Sequence, residues 1–120
     1  MTYGQQVLDD LRPETRELRK MIPDVYQGFG ALHGAAFAAG VLDTKTKELI
    51  ALAIAVSTQC DGCIASHARA AAKNGATLEE AAEAIGVTLL MGGGPSSIYA
   101  PRAYAAFVEF CERIHGAPEV

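Results

Sequence analysis

The residues best equipped for chemistry lie in one stretch, Lys47 to His67, which ends in Cys60-Asp61-Gly62-Cys63-Ile64-Ala65-Ser66-His67. Two thiols three positions apart can close a small disulfide ring. On a helix Cys63 and His67 are i and i+4, so their side chains stack one turn apart on one face. Cys60, seven residues before His67, falls near the same face. A dithiol and a base in one place are the equipment of thiol redox chemistry. A thiol with a pKa of about 8.5 is only about 3% ionised at pH 7, and lowering that value to about 6.5 raises the reactive fraction about 25-fold. Two features could do so: the unpaired N–H groups of a helix starting at Cys60 to Cys63, and His67 as proton acceptor. Cys63 is the better placed for pairing with His67, and Cys60, at the helix mouth, is expected to be the more exposed. Glu48 is the only carboxylate before Asp61 in this stretch and is the candidate to orient His67, making a thiol–base–carboxylate chain.

The elements that must hold these groups read as helices throughout, and no strand pattern appears. Tyr3, Val7, Leu8 and Leu11 have helical spacing over residues 3–11. Pro13 reads as the start of a second segment running to Met21. Pro23-Asp24 restarts the chain into an amphipathic helix to about Ala39, with Val25, Phe29, Leu32, Ala36 and Ala39 on one face. Asp43 or Thr44 caps the next helix, which runs to about Thr58. It is apolar nearly all round, the pattern of a central helix buried on most sides. A helix from about Asp61 to Lys73 packs through Ala65, Ala68, Ala71 and Ala72, and Asn74-Gly75 stops it. Thr77 and Glu80 form a capping box for a helix to about Met91, with Ala81, Ala84, Ile85, Thr88 and Leu89 inward. Gly92-Gly93-Gly94-Pro95 is a turn. The last helix spans roughly Ser96 to His115, and Pro101 must begin it or kink it. The tail from Gly116 to Val120 is expected to fray.

The chain has 120 residues, enough for one core, and half of them are apolar with no Trp. Abundant alanine favours closely approaching helices. The thin aromatic supply favours burying further surface in an oligomer. Net charge is −4 and the basic residues look scattered along the chain, which argues against nucleic acid as a partner. The longest apolar run, Leu49 to Val56, falls well short of the ~20 residues of a membrane span. Nothing in the first residues resembles a signal peptide, so a cytoplasmic location is expected. In such a reducing compartment, three cysteines point to catalysis or metal binding before a structural framework.

Glu48, eleven intervening residues, then Cys60-x-x-Cys63-x-x-x-His67 resembles the core motif of the alkylhydroperoxidase D and carboxymuconolactone decarboxylase family. The likeness extends to Gly40-Val41-Leu42-Asp43, to Lys73-Asn74-Gly75-Ala76-Thr77-x-Glu79-Glu80 and to Met91-Gly92-Gly93-Gly94, covering roughly residues 25–110. The resemblance implies an all-α single-domain bundle of about six to seven helices, assembled as a trimer or hexamer. Residues 1–24 would be an N-terminal helical segment, 25–115 the family domain and 116–120 the tail. It also implies a redox disulfide that reduces hydroperoxides and is recycled by a dithiol or thioredoxin-like reductant, with no cofactor. By position, Cys63 corresponds to the peroxidatic thiol, Cys60 to the resolving thiol, and Glu48 and His67 to the proton relay. The best-known peroxidase members carry a second His just before the second cysteine; here that place is Gly62, so the relay is one group shorter.

Rival readings stay open at this point. Cys60, Cys63 and His67 could hold zinc if Glu48, His33 or a neighbouring chain gave a fourth ligand. A decarboxylase or isomerase acting on a small acid or lactone would use His67 as base and need neither thiol. A buried structural cysteine pair is the plainest option. His33 reads as a packing or interface residue, and Cys111 as a small core hydrophobe. Tyr99, Tyr104 and Phe29 read as core or interface, Gly92 to Gly94 as no phosphate cradle, and Ser66 as a bystander.

Overall fold

Ten alanines and a handful of large side chains make the core. Ala55, Ala65, Ala68, Ala71, Ala72, Ala76, Ala81, Ala100, Ala103 and Ala106 are buried around Leu52, Val56, Ile64, Ile85, Phe107 and Phe110. With so little side chain between them, helices can approach closely and still fill the interior. The computed structural model describes residues 2–116 and is built of six α-helices, with no strand among the described residues. They are α1 (Gln5–Met21), α2 (Pro23–Phe37), α3 (Thr44–Ser57), α4 (Asp61–Lys73), α5 (Leu78–Gly92) and α6 (Gly94–His115). Helices α3 to α6 pack on one another and hold the core, while α1 lies along α4 and α2 touches α1 and α3. Residues 117–120, most of the expected tail, lie outside the described residues.

The local signals behave as their chemistry requires. Asp43 caps α3, its side chain accepting from Thr46 N–H at 2.7 Å. Thr77 and Glu80 close the capping box of α5, each bond 3.0 Å. Lys45 reaches Glu80 at 2.9 Å and ties α3 to α5. Asn74 follows the last turn of α4 and Gly75 takes φ 85°, the left-handed conformation in which glycine meets no steric cost.

Two expectations are corrected here. Pro13 does not open a new segment, because α1 runs unbroken through it. Proline removes the N–H that would meet the Asp9 carbonyl, but Asp9 is exposed, so water can satisfy that group. The break comes instead at Ile22, whose backbone (φ −134°, ψ 59°) leaves the helix ahead of Pro23. Of the two places left open for Pro101, the start of α6 is ruled out: the helix starts at Gly94 with Pro95 in its first turn, the place proline tolerates best, and Pro101 lies inside it. Finally, α3 is buried on one side only. Glu48, Leu52, Ala55 and Val56 face the core, while Ile50 and Ile54 are 46% and 56% exposed.

The amphipathic reading of α2 fails within one chain for the same reason. No residue of α2 is buried, and Val25, Phe29 and Leu32 are each 64% exposed. Leu89 of α5 also faces outward. Among the described residues no element lies over these stripes.

Candidate functional site

The site is assembled where α3 ends and α4 begins. Gln59 takes φ 55°, a left-handed turn unusual for a side chain of its kind, and swings the chain from α3 into α4. Cys60 then becomes the N-cap of α4, where its Sγ accepts from the Cys63 N–H at 3.2 Å. Cys60 and Cys63 are joined in a disulfide, with Cα atoms 5.2 Å apart. Asp61 anchors this corner: Arg102 of α6 donates to its carboxylate at 3.2 and 3.3 Å. The Arg102 guanidinium in turn lies over the rings of Tyr3 and Tyr99, 4.9 and 4.5 Å from their centroids. The Gln5 N–H, donating to Glu109 at 2.9 Å, completes the attachment of the N-terminal helix to α6.

The exposure of the two sulfurs is the reverse of the sequence expectation. Cys60 is half-buried and Cys63 is exposed. The cause is the cap: an N-cap side chain folds back toward the first turn to meet its N–H groups, whereas the third helical residue projects outward. Access from solvent is therefore greatest at Cys63.

One turn along α4, His67 meets the carboxylate of Glu48 from α3, Nδ1 to Oε2, at 2.7 Å. Glu48 is 3% exposed, so it is a carboxylate carried into the interior for one partner. This geometry assigns the Nδ1 proton to the bond with Glu48 and leaves Nε2 with its lone pair, the form of imidazole that can take a proton. The two groups that sequence reasoning linked, nineteen positions apart, are thus brought together. Among the described residues no buried side-chain nitrogen or oxygen lacks a hydrogen-bond partner.

Two rings from α2 that motif reasoning did not place in the site lie over this pair. The Phe37 centroid is 5.3 Å from that of His67, and His33 stacks nearly parallel to His67 at 6.3 Å, with 4.7 Å between His33 and Phe37. The available signal was their i, i+4 spacing on one helix, but nothing in the sequence said which helix that face would meet. The end of α2 is held in place by Thr44 Oγ1, which donates to the Phe37 carbonyl at 2.9 Å, and by Lys47 Nζ, which donates to the Ala38 carbonyl at 2.6 Å.

Gly62, where a second relay histidine would stand, has its free space taken by the outer helix. A Cβ built there lies 2.8 Å from Leu11 Cδ1 of α1. Cys111, the third cysteine, packs half-buried against the core as expected, and burial, with the Glu112 charge adding to it, pushes its thiol pKa up. Among the described residues no three His, Cys, Asp or Glu side chains gather as a metal site, which leaves the zinc reading without a ligand set inside one chain. Nor is any helix among them long and apolar enough to cross a membrane.

The comparisons with known proteins agree with this geometry. The family model described as the carboxymuconolactone decarboxylase family matches residues 23–106, which is α2 through the middle of α6. An uncharacterised protein of Cupriavidus necator is 36% identical over 107 residues, covering 78% of this chain and 95% of its own. A protein of the cox locus of Paracoccus denitrificans is 44% identical over 81 residues, covering 68% and 73%. Among solved structures, an apo carboxymuconolactone decarboxylase family protein from Legionella pneumophila superposes with a TM-score of 0.85 at 45% identity, over 88% of this chain and 95% of that one. A Thermotoga maritima family protein, described with a suggested part in the antioxidative response, gives 0.72 at 29% identity over 92% and 91%. On the strength of this match and of the helical frame that carries it, the chain belongs to the carboxymuconolactone decarboxylase family.

Proposed function

We propose that this protein is a thiol-dependent peroxidase and disulfide reductase that reduces hydroperoxides through the Cys60–Cys63 couple. One observation carries the reading: a buried carboxylate is hydrogen-bonded to His67 Nδ1 one helical turn from a cysteine pair close enough to bond. His67 Nε2 takes the proton of the Cys63 thiol. The thiolate attacks the peroxide, the O–O bond breaks, and the proton on His67 passes to the departing alkoxide to give the alcohol. Cys63 is then a sulfenic acid. Cys60 attacks its sulfur, the thiol proton leaves with the hydroxyl as water, and the disulfide is formed. An external dithiol or thioredoxin-like protein reduces it, which suits a cytoplasmic setting. Each hydroperoxide thus consumes two thiols and yields one alcohol and one water. The antioxidative description of the Thermotoga relative is in line with this reading.

The exposed faces of α2 and α3 support a second part of the proposal, that the working form is a homo-oligomer, a trimer or hexamer. Val25, Phe29 and Leu32 together with Ile50 and Ile54 are more apolar surface than an isolated chain of this size usually leaves in water. Burying the α2 stripe against another copy would also brace the helix that brings His33 and Phe37 over His67. Light scattering on the purified protein should return a multiple of the 12.6 kDa chain; a monomer at micromolar concentration would refute this part.

Dithiol-coupled peroxide consumption tests the chemistry. Cys63→Ser should abolish turnover, and Cys60→Ser should permit one oxidation without recycling. A decarboxylase or isomerase relying on His67 alone would instead keep its turnover in both variants, and native-rate peroxide consumption by both would sink the proposal.

A further inference from the structure

Basic residues that look scattered along the sequence do not stay scattered in the fold. Four of the six arginines, Arg12, Arg16 and Arg19 of α1 and Arg69 of α4, line one cleft of about 520 Å³ between these helices. Their positions on α1 are i, i+4 and i+7, one face of a continuous helix. Arg69 comes from the helix that carries the disulfide. In a chain of net charge −4 this is a local reversal of sign, and a cleft lined by one sign focuses its field on what enters.

Three of the four charges have no carboxylate partner among the described residues. Arg12 pairs with Asp9 at 3.2 Å on an exposed face, and Arg19 lies over the Tyr26 ring at 5.3 Å. Among the described residues, neither Arg16, Arg19 nor Arg69 pairs with a carboxylate. Guanidinium groups in such an array suit a planar or tetrahedral oxyanion, which they can bind two-pronged. The rest of the wall is made of the apolar Leu8 and Leu11 together with Thr15 and Ser66. Leu11 is the side chain packed over Gly62, in the same turn of α4 as the disulfide. Cys63 and Arg69 are six residues apart on α4, a rise of about 9 Å. Ser66, on the cleft wall, stands between them in sequence. The cleft volume lies within the range of small-molecule sites. Helix α1 falls outside the residues matched by the family model, so three of the four arginines lie outside that matched segment.

We propose that the α1–α4 cleft binds the oxyanion head of an amphipathic organic substrate, its carboxylate or phosphate held by Arg16, Arg19 and Arg69 and its hydrocarbon arm laid along Leu8 and Leu11 toward Cys63. Binding stands on the cleft alone; that the bound molecule is a hydroperoxide rests on the function proposed above. The substrate class is then an anionic organic hydroperoxide, preferred over a neutral one.

The full-length oxidised protein, labelled with ¹⁵N, is titrated at low salt with sodium octanoate, octyl phosphate and, as a neutral control, 1-octanol. Octanoate or octyl phosphate should shift the amides of residues 8–19 and 66–69 saturably, the tighter of the two naming the head group, and octanol should not. The Arg16→Gln/Arg69→Gln double variant, checked for unchanged helicity and melting, should bind at least tenfold more weakly. Leu11→Ala should weaken octanoate and leave the response to inorganic phosphate in place. No saturable binding of either anion, equal binding by the double variant, or shifts confined to other helices would overturn the site. In parallel, the ratio of kcat/KM for a carboxylated fatty hydroperoxide to that for cumene hydroperoxide should fall about tenfold in the double variant. If the native protein consumes neither peroxide yet still binds octanoate in the cleft, the peroxidase reading fails and the anion site stands.

Discussion

The two halves of this molecule are built to different rules. Helices α3 to α6 bury the alanine-lined core, and the one charged side chain they bury, Glu48, is matched to His67. Helices α1 and α2 bury no residue at all, yet they carry three arginines, the apolar stripe of Val25, Phe29 and Leu32, and the two rings over His67. The inner layer holds Glu48 and His67 at a fixed distance, as the base catalysis proposed above demands. The outer layer contributes surface. On the function and the anion site proposed above, chemistry and recognition are divided between helices whose stabilities should differ, the outer pair opening well before the inner four.

The sharpest test of that division is chemical. His67→Ala should lower peroxide turnover about 10²–10⁴-fold, the usual range for loss of a general acid–base. Glu48→Gln, which keeps a hydrogen-bond acceptor and loses the charge, should fall between that variant and the native enzyme and move the pH–rate profile. If either histidine or carboxylate can be removed with full turnover, the inner layer is a scaffold and no more. Next in size is a paired comparison of stability. Phe107→Ala in the core should cost about 3–5 kcal/mol, read from denaturant midpoints. Phe29→Ala, at a side chain 64% exposed on α2, should change the unfolding of a dilute single chain little and act instead on assembly. Equal destabilisation by the two would erase the distinction between layers.

A subtler contrast sets the cysteines against each other. Cys111 is half-buried with its thiol pKa pushed up by desolvation and then by Glu112, so it should stay protonated at neutral pH. After reduction, iodoacetamide at pH 7 should label Cys63 first and Cys111 last, as followed by peptide mass spectrometry. The smallest expected effect is on acid stability. Glu80 is held below the usual carboxylate range, first by its bond to Lys45 and then by the Thr77 N–H, and Asp43 by its bonds to Thr46. Folded-state pKa values below the unfolded ones stabilise the protein above the usual carboxylate range, and that contribution is lost as pH falls through the folded values. Asp43 is exposed and Glu80 only partly covered, so melting temperature should decline only slightly below about pH 4. Glu80→Gln should flatten that decline without altering turnover.

Much of the inner layer was legible. The i, i+4 relation of Cys63 and His67 follows from helix geometry, and the capping box at Thr77 and Glu80 is a local rule that no distant contact disturbed. The link from Glu48 to His67 was readable as a candidate, because a lone carboxylate at the head of an apolar helix asks for a partner. The outer layer was harder, and Pro13 shows why. Reading it as a boundary split α1 in two and hid the alignment of Arg12, Arg16 and Arg19 that a continuous helix makes plain. Arg69, fifty positions beyond Arg19, could be added only by the packing of α1 on α4. The relative exposure of Cys60 and Cys63 turned on a left-handed Gln59, a backbone choice that no side-chain pattern announces. His33 and Phe37 stood in plain view as a pair, but the loop that folds α2 back toward α4 is long range in effect.

The account rests most directly on the cysteine couple, and one measurement addresses it. Fully reduced protein is mixed with one equivalent of an alkyl hydroperoxide, and peptide mass spectrometry follows the sulfurs while the alcohol product is counted. The account predicts one alcohol per chain, a Cys60–Cys63 crosslink formed at the same rate, an unmodified Cys111, and full reversal by a dithiol. Peroxide left intact while both thiols remain free, or oxidation that ends at Cys111 with no crosslink, would contradict it.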